Sequence, residues 1–356
     1  MNERTTNTAA VAENDAASTL AAALNGASPD GGEHAILVHE LVKRYGDLEA
    51  VAGIDFAVAR GELFGFLGPN GAGKTTTISM LCTLVRPTSG RAFVAGHDVV
   101  SEREAVRRHI GLVFQDPTLD GYLTAEQNLR LHAELYGMPR SEFGPRMQEV
   151  LEMMELWERR TTLVNHFSGG MKRRLEIARG LLHSPRVLFL DEPTIGLDPQ
   201  TRSSIWDYIR RLEREQDITI FLTTHYMDEA EYCGRIAIMD HGRIVALDTP
   251  HALKASVGKD RVQIHTNDDA AAIAALSERF GLEAQVSEGA VTFGVPEGEQ
   301  FVPRLFAELG QPILSVSVSR PSLDDVFMSY TGKTIRDAEA SSTDQLRQMA
   351  TMWRRR

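Results

Sequence analysis

The sequence of 356 residues predicts an α/β protein that carries a smaller α+β module towards its C-terminal end. In the larger N-terminal part, short apolar runs alternate with stretches of helical periodicity, which is typical of a largely parallel sheet covered by helices. Beyond Pro250 the pattern changes to shorter elements in the order β-α-β-β-α-β, which indicates a small ferredoxin-like module. The contents of 42 % hydrophobic and 24 % charged residues are ordinary for a globular protein and agree with this fold class.

The elements of the larger part follow from its apolar runs. A short strand is predicted at Ala35–His39 and an alternating strand at Ala50–Val58. Continuous apolar runs predict buried strands at Leu63–Leu67, Ile110–Phe114, Arg186–Glu192 and Ile218–Thr224. Helical periodicity predicts helices at Thr76–Leu84, Ala125–Tyr136, Phe143–Leu156, Met171–Leu182 and Thr201–Glu215.

Composition sets the expected domain boundaries. Residues 1–33 are polar and Ala-rich, so this segment is expected to be disordered. The main domain is predicted at residues 34–250, with its mostly helical part at about 116–182, and the α+β module at residues 251–332. The polar tail at 333–356 ends in Arg354–Arg356, which is interpreted as solvated, with contact to anionic lipid as the alternative.

Charge and cysteine content exclude several classes of protein. The net charge of -11 argues against a general nucleic-acid binder, which would carry a basic face. No apolar run is long enough to span a bilayer, and the first residues lack the pattern of a signal peptide. Cys82 and Cys233 are expected to be reduced core residues, since nothing indicates secretion.

The most informative motif is a glycine loop between the predicted strand at Leu63–Leu67 and the helix after it. It fits the pattern G-x-x-x-x-G-K-[ST], in which backbone N–H groups and a helix N-terminus hold phosphate. Its lysine can reach the β- and γ-phosphates, and its first threonine can ligate Mg²⁺. The alternative is a glycine-rich turn without a ligand, which the flanking strand and helix disfavour. The motif comprises Gly68, Pro69, Asn70, Gly71, Ala72, Gly73, Lys74, Thr75 and Thr76.

Two carboxylates end the predicted strand at Arg186–Glu192. Asp191 fits a Mg²⁺-holding carboxylate, and Glu192 fits a base that polarises the attacking water. Ligands of open α/β sheets bind at the carboxyl ends of the strands, where this pair lies. The alternative is a pair of surface acids, which is disfavoured because the preceding strand has the composition of one buried on both faces.

A second glycine motif precedes the helix at Met171–Leu182. Ser168 is a good N-cap, while Gly169 and Gly170 let backbone amides approach an anion. One nucleotide does not need two such helix starts, so one of them is expected to serve a neighbouring subunit. The less favoured alternative, if this motif is interpreted alone, is a plain helix cap.

These motifs follow one another in the order found in one protein family. Over roughly residues 35–250, the chain resembles the ATP-binding subunits of ABC transporters. The resemblance implies a P-loop NTPase cassette with a mixed sheet core and a helical subdomain. It adds four residues to the motifs above. Tyr45 would be the aromatic platform for adenine, Gln115 the Q-loop glutamine, Asp198 the D-loop aspartate and His225 the switch histidine. The signature departs from the family pattern because Phe167 and Met171 replace its Leu and Gln.

The resemblance also implies roles for these residues. Lys74, Gln115, Glu192 and His225 would be catalytic, and Thr75, Gln115 and Asp191 would hold Mg²⁺. The glycine loop, Tyr45, Ser168–Gly170 and Asp198 would bind ATP. In isolation Tyr45 could equally be a surface tyrosine, Gln115 a solvated turn residue and His225 a capping residue.

A narrower resemblance lies in the C-terminal module. Residues 319–327 and 330–332 are similar to the module of daunorubicin-type antibiotic-resistance exporters, whose relatives also export lipids or glycans. This implies an ATPase that forms a head-to-tail dimer and powers export of a hydrophobic compound through a separate membrane permease. It would act at the cytoplasmic face of the cell membrane, without a nucleic-acid partner. The alternatives are a soluble ABC-type ATPase of DNA repair or translation, and a regulatory module that binds ATP without hydrolysis.

Overall fold

The computed structural model describes residues 33–216, 218–287 and 290–332. The chain divides into two compact units, one that ends at Val245 and one that begins at Ala246. The predicted disorder of residues 1–33 and the polar tail at 333–356 fall almost wholly outside the described residues. The predicted domain boundaries therefore stay predictions.

The first unit is built on two sheets. A four-stranded sheet has the order β2-β1-β4-β5, and its pairs are antiparallel. A six-stranded sheet has the order β10-β9-β3-β8-β7-β6, and the pairs from β9 to β6 are parallel. The strands are β1 (His34–Tyr45), β2 (Leu48–Ala59), β3 (Leu63–Leu67), β4 (Ser89–Val94), β5 (His97–Asp98), β6 (Ile110–Val113), β7 (Val187–Asp191), β8 (Thr219–Thr224), β9 (Arg235–Asp240) and β10 (Arg243–Asp248).

Helices connect these strands. Long excursions of the chain between parallel neighbours are filled by helices, as the crossover rule for parallel sheets requires. The helices are α1 (Lys74–Leu81), α2 (Arg103–His109), α3 (Ala125–Leu135), α4 (Arg140–Met153), α5 (Gly169–Leu181), α6 (Pro199–Gln216) and α7 (Met227–Ala230).

The centre of the six-stranded sheet is fully buried. Every residue of β3, β7 and β8 is buried, as expected of parallel strands that are covered on both faces. The aromatic rings of Phe56, Phe66 and Phe221 pack together, with the last two centroids 5.1 Å apart. Because the three strands run parallel, their carboxyl ends meet at one edge, and this edge receives the glycine loop, Asp191–Glu192 and His225.

The second unit has the predicted β-α-β-β-α-β order. Its sheet has the order β12-β13-β11-β14 and all its pairs are antiparallel, which is the ferredoxin-like arrangement. Val262, Leu276, Phe293 and Leu305 form its core with their apolar neighbours. The elements are α8 (Pro250–Val257), β11 (Asp260–Thr266), α9 (Asp269–Phe280), β12 (Ala284–Ser287), β13 (Ala290–Val295), α10 (Gly298–Glu308), β14 (Ile313–Ser319) and α11 (Leu323–Thr331).

The predicted fold class is confirmed, with shifts at several element ends. The strand at Leu63–Leu67 begins and ends as predicted. The helix predicted to start at Thr76 starts at Lys74, since the loop lysine lies already in its first turn. Within the described ranges, no helix combines the length and the hydropathy that a membrane span needs.

Candidate functional site

The glycine loop between β3 and α1 is shaped by close backbone contacts. A Cβ on Gly68 would lie 2.3 Å from the carbonyl oxygen of Met239, and one on Gly73 would lie 2.5 Å from that of Ala50. Gly73 has φ +110, a conformation that side chains rarely adopt, and it directly precedes α1. The loop therefore needs glycine at both positions to turn sharply into the helix N-terminus, where backbone N–H groups can donate hydrogen bonds to an anion.

Lys74 is the buried cation of this loop. Its Nζ donates to the carbonyl oxygens of Gly68 at 2.7 Å and Pro69 at 3.1 Å, so the loop curls around the ammonium group. The same nitrogen lies 3.4 Å from Oε1 of Glu192. The structure thus brings together the loop lysine and the strand-end carboxylate, which are both predicted site residues.

Asp191 joins the loop to two strands. Its Oδ1 accepts hydrogen bonds from the hydroxyl of Thr223 at 2.5 Å and from that of Thr75 at 3.3 Å. Burial raises the pKa of this carboxyl above its ordinary value, although the two hydroxyls partly oppose the shift. A bound cation would favour the carboxylate, so the site gains charge complementarity when a cation is present.

Glu192 lies between two basic groups. Its Oε2 is 3.2 Å from Nδ1 of His225, although the two atoms are not aligned for a hydrogen bond. Burial would raise the pKa of Glu192, but His225 and Lys74 outweigh burial and hold it below its ordinary value. Glu192 also has φ +45, a left-handed conformation that is uncommon for a residue with a side chain. Its carboxylate is thus kept ionised in a fixed, strained position.

The residues of the second glycine motif have contacts away from Lys74. The Ser168 hydroxyl accepts the backbone N–H of Met171 at 3.2 Å and caps α5. A Cβ on Gly170 would lie 2.4 Å from Cγ2 of Thr201, whose hydroxyl donates to Asp198 at 2.6 Å. The motif is therefore packed against residues 196–201 of the same chain, here called the Asp198 segment.

Tyr45 and Gln115 are placed at exposed ends of strands. Tyr45 ends β1 with 48 % of its surface exposed, and the Lys43 ammonium lies 4.8 Å from the centre of its ring. Gln115 follows β6, is exposed, and its side chain forms no hydrogen bond within the described ranges. The structure does not bring either residue into contact with Lys74 or Glu192, so their roles stay predictions.

Arg173 on α5 is a buried residue that sequence reasoning missed. Its guanidinium donates to the carbonyl oxygens of Pro193 at 2.6 Å, Asp191 at 3.1 Å and Glu192 at 3.2 Å. It also donates to Phe114, next to Gln115, at 2.5 Å. One guanidinium thus holds the end of β7 and the end of β6 against α5, which Ser168 caps.

Glu176 compensates this buried charge. Its Oε2 accepts from Arg173 at 3.2 Å, and its Oε1 accepts the backbone N–H of Thr118 at 2.8 Å. Burial lowers the pKa of Arg173, and Glu176 opposes that shift. The spacing of Arg173 and Glu176 as i and i+3 neighbours was the only local signal of this pair.

The side chains present fit a nucleotide with Mg²⁺. The hydroxyl of Thr75 and the carboxylate of Asp191 are oxygen donors, which Mg²⁺ prefers, and they lie 3.3 Å apart. The buried ammonium of Lys74 and the turn at Gly73 suit phosphate. The arrangement can therefore bind a phosphate-bearing ligand and place an ionised carboxylate beside it.

Two family models match the chain. The model described as ABC transporter matches residues 51–195. The model described as ATP-binding protein DrrA1-3-like, C-terminal domain, matches residues 249–331. The first match contains the glycine loop, the second glycine motif and the strand-end carboxylates.

Curated relatives cover most of the chain. The daunorubicin resistance ATP-binding protein DrrA3 of Streptomyces coeruleorubidus is 42 % identical over 313 residues, which are 86 % of this chain and 99 % of that protein. The linearmycin resistance ATP-binding protein LnrL of Bacillus subtilis (strain 168) is 38 % identical over 304 residues, 83 % of this chain and 97 % of the relative.

Solved structures resemble part of this chain. CbiO1 from Clostridium perfringens, part of the ABC transporter complex cbiONQ, has a TM-score of 0.59 at 31 % identity and covers 63 % of this chain and 92 % of its own. The dimeric post-hydrolysis state of the ATP-binding cassette MJ0796 bound to ADP and Pi has a TM-score of 0.55 at 28 % identity, and covers 60 % of this chain and 98 % of its own.

Proposed function

Since this chain belongs to the ATP-binding subunits of ABC transporters, we propose that it hydrolyses ATP to power export of a hydrophobic compound through a separate membrane subunit. The observation that carries the proposal is the meeting of Lys74, Asp191, Glu192 and His225 at one edge of the sheet. A phosphate cradle, a cation site and an ionised base at this edge support phosphoryl transfer, and Lys74, Asp191 and Glu192 are buried there.

The chemistry follows from positioning and charge. Lys74 and the N–H groups at the start of α1 would hold the phosphates and stabilise the charge that develops on them. Thr75, Asp191 and Gln115 would hold Mg²⁺, which when bound supplies further positive charge to the phosphate oxygens. Glu192, kept ionised by His225 and Lys74, would orient the attacking water and accept its proton. Tyr45 would stack on the adenine ring.

We propose that two copies pair head to tail. Ser168–Gly170 and Asp198 of one chain would then complete the site around Lys74 of the other, because the contacts of the second glycine motif lie away from Lys74 in the single chain. Solved cassettes of this family are described as dimeric, which supports the arrangement. A membrane permease would be the second partner, and the chain would act at the cytoplasmic face of the cell membrane.

The cargo is proposed from the relatives. Several are named for resistance to daunorubicin, doxorubicin or linearmycin. A hydrophobic antibiotic is therefore the proposed class of cargo, with a lipid or glycan as the less favoured class.

The test combines a base variant with a transport assay. Glu192→Gln removes the proton acceptor and keeps the shape of the side chain, so ATP binding should persist while kcat falls by about 100-fold or more. Hydrolysis by the full-length chain and binding of a fluorescent ATP analogue are measured in parallel. Turnover at the wild-type rate in Glu192→Gln would contradict the assignment of the base.

Drug-stimulated hydrolysis after reconstitution with the co-purified membrane subunit tests the cargo class.

A further inference from the structure

Glu229 is a buried carboxylate that the roles above leave without a function. It lies on the short helix α7, four residues after His225, and only 1 % of its surface is exposed. An ionised carboxylate in such a place costs several kcal/mol unless it is paired and hydrogen-bonded. The groups that contact Glu229 therefore indicate its role.

Two threonine hydroxyls donate to this carboxylate. Oε2 accepts from Thr224 at 2.7 Å, and Oε1 accepts from Thr194. Thr224 directly precedes His225, and Thr194 follows Glu192 by two residues. Glu229 thus ties together the two chain segments that carry the proposed base and its histidine neighbour.

A third contact leads to the Asp198 segment. Nε of Arg202 lies 3.8 Å from Oε1 of Glu229, and it is a buried nitrogen without a hydrogen bond. The same guanidinium lies 4.1 Å from the centre of the Tyr226 ring, and that ring is 4.0 Å from the ring of His225. Arg202 lies in the first turns of α6, and its backbone N–H donates to the carbonyl of Asp198 at 2.9 Å.

We propose that Glu229 is a positioning residue that couples the Asp198 segment to Glu192 and His225. A shift of Asp198 moves Arg202, which changes the charge next to Glu229 and so the position of Thr194 and Thr224. The unaligned pair of Arg202 and Glu229 leaves room for this change, since the two groups are attracted without being locked by a hydrogen bond.

The inference rests on the proposed function, because Asp198 would lie at the site of the second copy. In that arrangement Glu229 lets each nucleotide site sense the other. A purely structural ion pair behaves differently, since removal of one partner of a buried pair lowers the stability of the fold. Turnover and ATP affinity would then fall together with the melting temperature. The two roles are therefore separable by the cooperativity of hydrolysis.

The experiment compares four variants of the full-length chain. Glu229→Gln removes the charge and keeps one acceptor oxygen, while its NH2 group replaces the acceptor of the other threonine by a donor. Arg202→Met removes the third contact. The double variant tests whether the two act together, and Asp228→Asn removes an exposed charge from the same helix as a control. Measured are kcat, KM and the Hill coefficient for ATP, the affinity for a fluorescent ATP analogue, and the melting temperature.

The expected result is a split between turnover and binding. In Glu229→Gln, kcat should fall about 10- to 100-fold, as small misplacements of catalytic groups do. The Hill coefficient should fall from about 2 towards 1, because coupling between two sites is lost. Analogue affinity should stay within about twofold of wild type, because Lys74 is untouched. Arg202→Met should reproduce these changes, and the double variant should add little to either one.

Three outcomes separate the hypotheses. A folded Glu229→Gln with wild-type kcat and Hill coefficient overturns the inference. A loss of melting temperature and ATP affinity in parallel with kcat also overturns it, because that pattern indicates a structural role. If wild-type protein binds ATP but never hydrolyses it, the proposed function fails instead.

Discussion

Single atoms decide the geometry around the second glycine motif. The Cβ that alanine would add at Gly170 would lie 2.4 Å from Cγ2 of Thr201, which is a methyl group and not the hydroxyl that bonds Asp198. The position lies in the first turn of α5, so its backbone accepts alanine. The obstacle at this position is therefore one methyl group.

This contact predicts a rescue. Gly170→Ala should destabilise the protein by about 1–3 kcal/mol through overpacking, and should lower ATP hydrolysis because the Asp198 segment is displaced. Adding Thr201→Ser removes the clashing methyl group and keeps the hydroxyl, so it should restore most of both losses. Thermal unfolding and steady-state hydrolysis of the two single variants and the double variant check this. Equal losses with and without Thr201→Ser would contradict it.

At the scale of elements, α5 holds the sheet edge together. Arg173 reaches carbonyl oxygens at the ends of β6 and β7, and Glu176 balances its charge. Local periodicity cannot reveal this contact, because an arginine on an amphipathic helix normally lies in solvent. The strands that position the site were predictable from their apolar runs, whereas the side chain that locks them together depends on residues distant in sequence.

Loss of the Arg173 guanidinium is expected to destabilise the fold. Arg173→Met leaves the buried Glu176 carboxylate without its ion partner, so the free energy of unfolding should fall by about 3–5 kcal/mol. Lys172→Met removes the neighbouring, less buried cation and should change it by about 0.5 kcal/mol or less. Adding Glu176→Gln to Arg173→Met should recover part of the loss. Urea unfolding of the four proteins is the measurement, and a Lys172→Met variant as unstable as Arg173→Met would refute the explanation.

A second contact between elements involves two histidines. The ring centroids of His132 on α3 and His183 after α5 are 5.7 Å apart. The ring centroid of Tyr136 lies 4.5 Å from that of His132 and 4.1 Å from that of His183. Burial lowers the pKa of His132 to about 3, and the pKa of His183 is lowered for the same reason. Both rings are therefore neutral in the folded protein at pH 7.

This burial predicts a dependence of stability on pH. The unfolded chain binds a proton at His132 below about pH 6.5 while the folded chain does not, so stability falls as pH drops from there towards 3. Replacing the imidazole by an apolar ring in His132→Phe should remove about 1–2 kcal/mol of the loss between pH 7 and pH 5. Thermal unfolding at both pH values tests it, with exposed His251→Phe as the control. If His132→Phe lost as much stability between pH 7 and pH 5 as the wild type does, the prediction would be contradicted.

At the scale of the whole molecule, the chain contains two separate cores. The core of the first unit surrounds β3, β7 and β8, and that of the second surrounds Val262 and Leu276. The β-α-β-β-α-β order of the second unit could be predicted, and so could the buried strands of the first unit, since these follow recognisable patterns. Strands β4, β5, β9 and β10 were not assigned from the sequence; for β9, a short apolar run such as Ile236–Met239 does not distinguish strand from helix.

Separate cores predict separable stability. Leu276→Ala leaves a cavity in the second unit and should destabilise that unit by about 2–5 kcal/mol. The affinity for an ATP analogue should stay within about twofold, because the residues around Lys74 belong to the first unit. Hydrogen exchange of β11 and β13 together with analogue binding measures both effects. A matching loss of ATP affinity would show that the two cores unfold as one.

The left-handed backbone at Glu192 has a consequence for evolution and engineering. Glycine adopts this conformation freely, whereas a residue with a side chain holds it at a cost of about 1–2 kcal/mol. The ionised carboxylate itself is stabilised in the fold, because Lys74 and His225 hold its pKa below the ordinary value. Glu192→Gly should therefore give an inactive chain in which relief of the backbone strain is opposed by loss of the carboxylate that lies 3.4 Å from the buried Lys74 ammonium. The difference between the melting temperatures of wild type and variant would measure which of the two effects is larger.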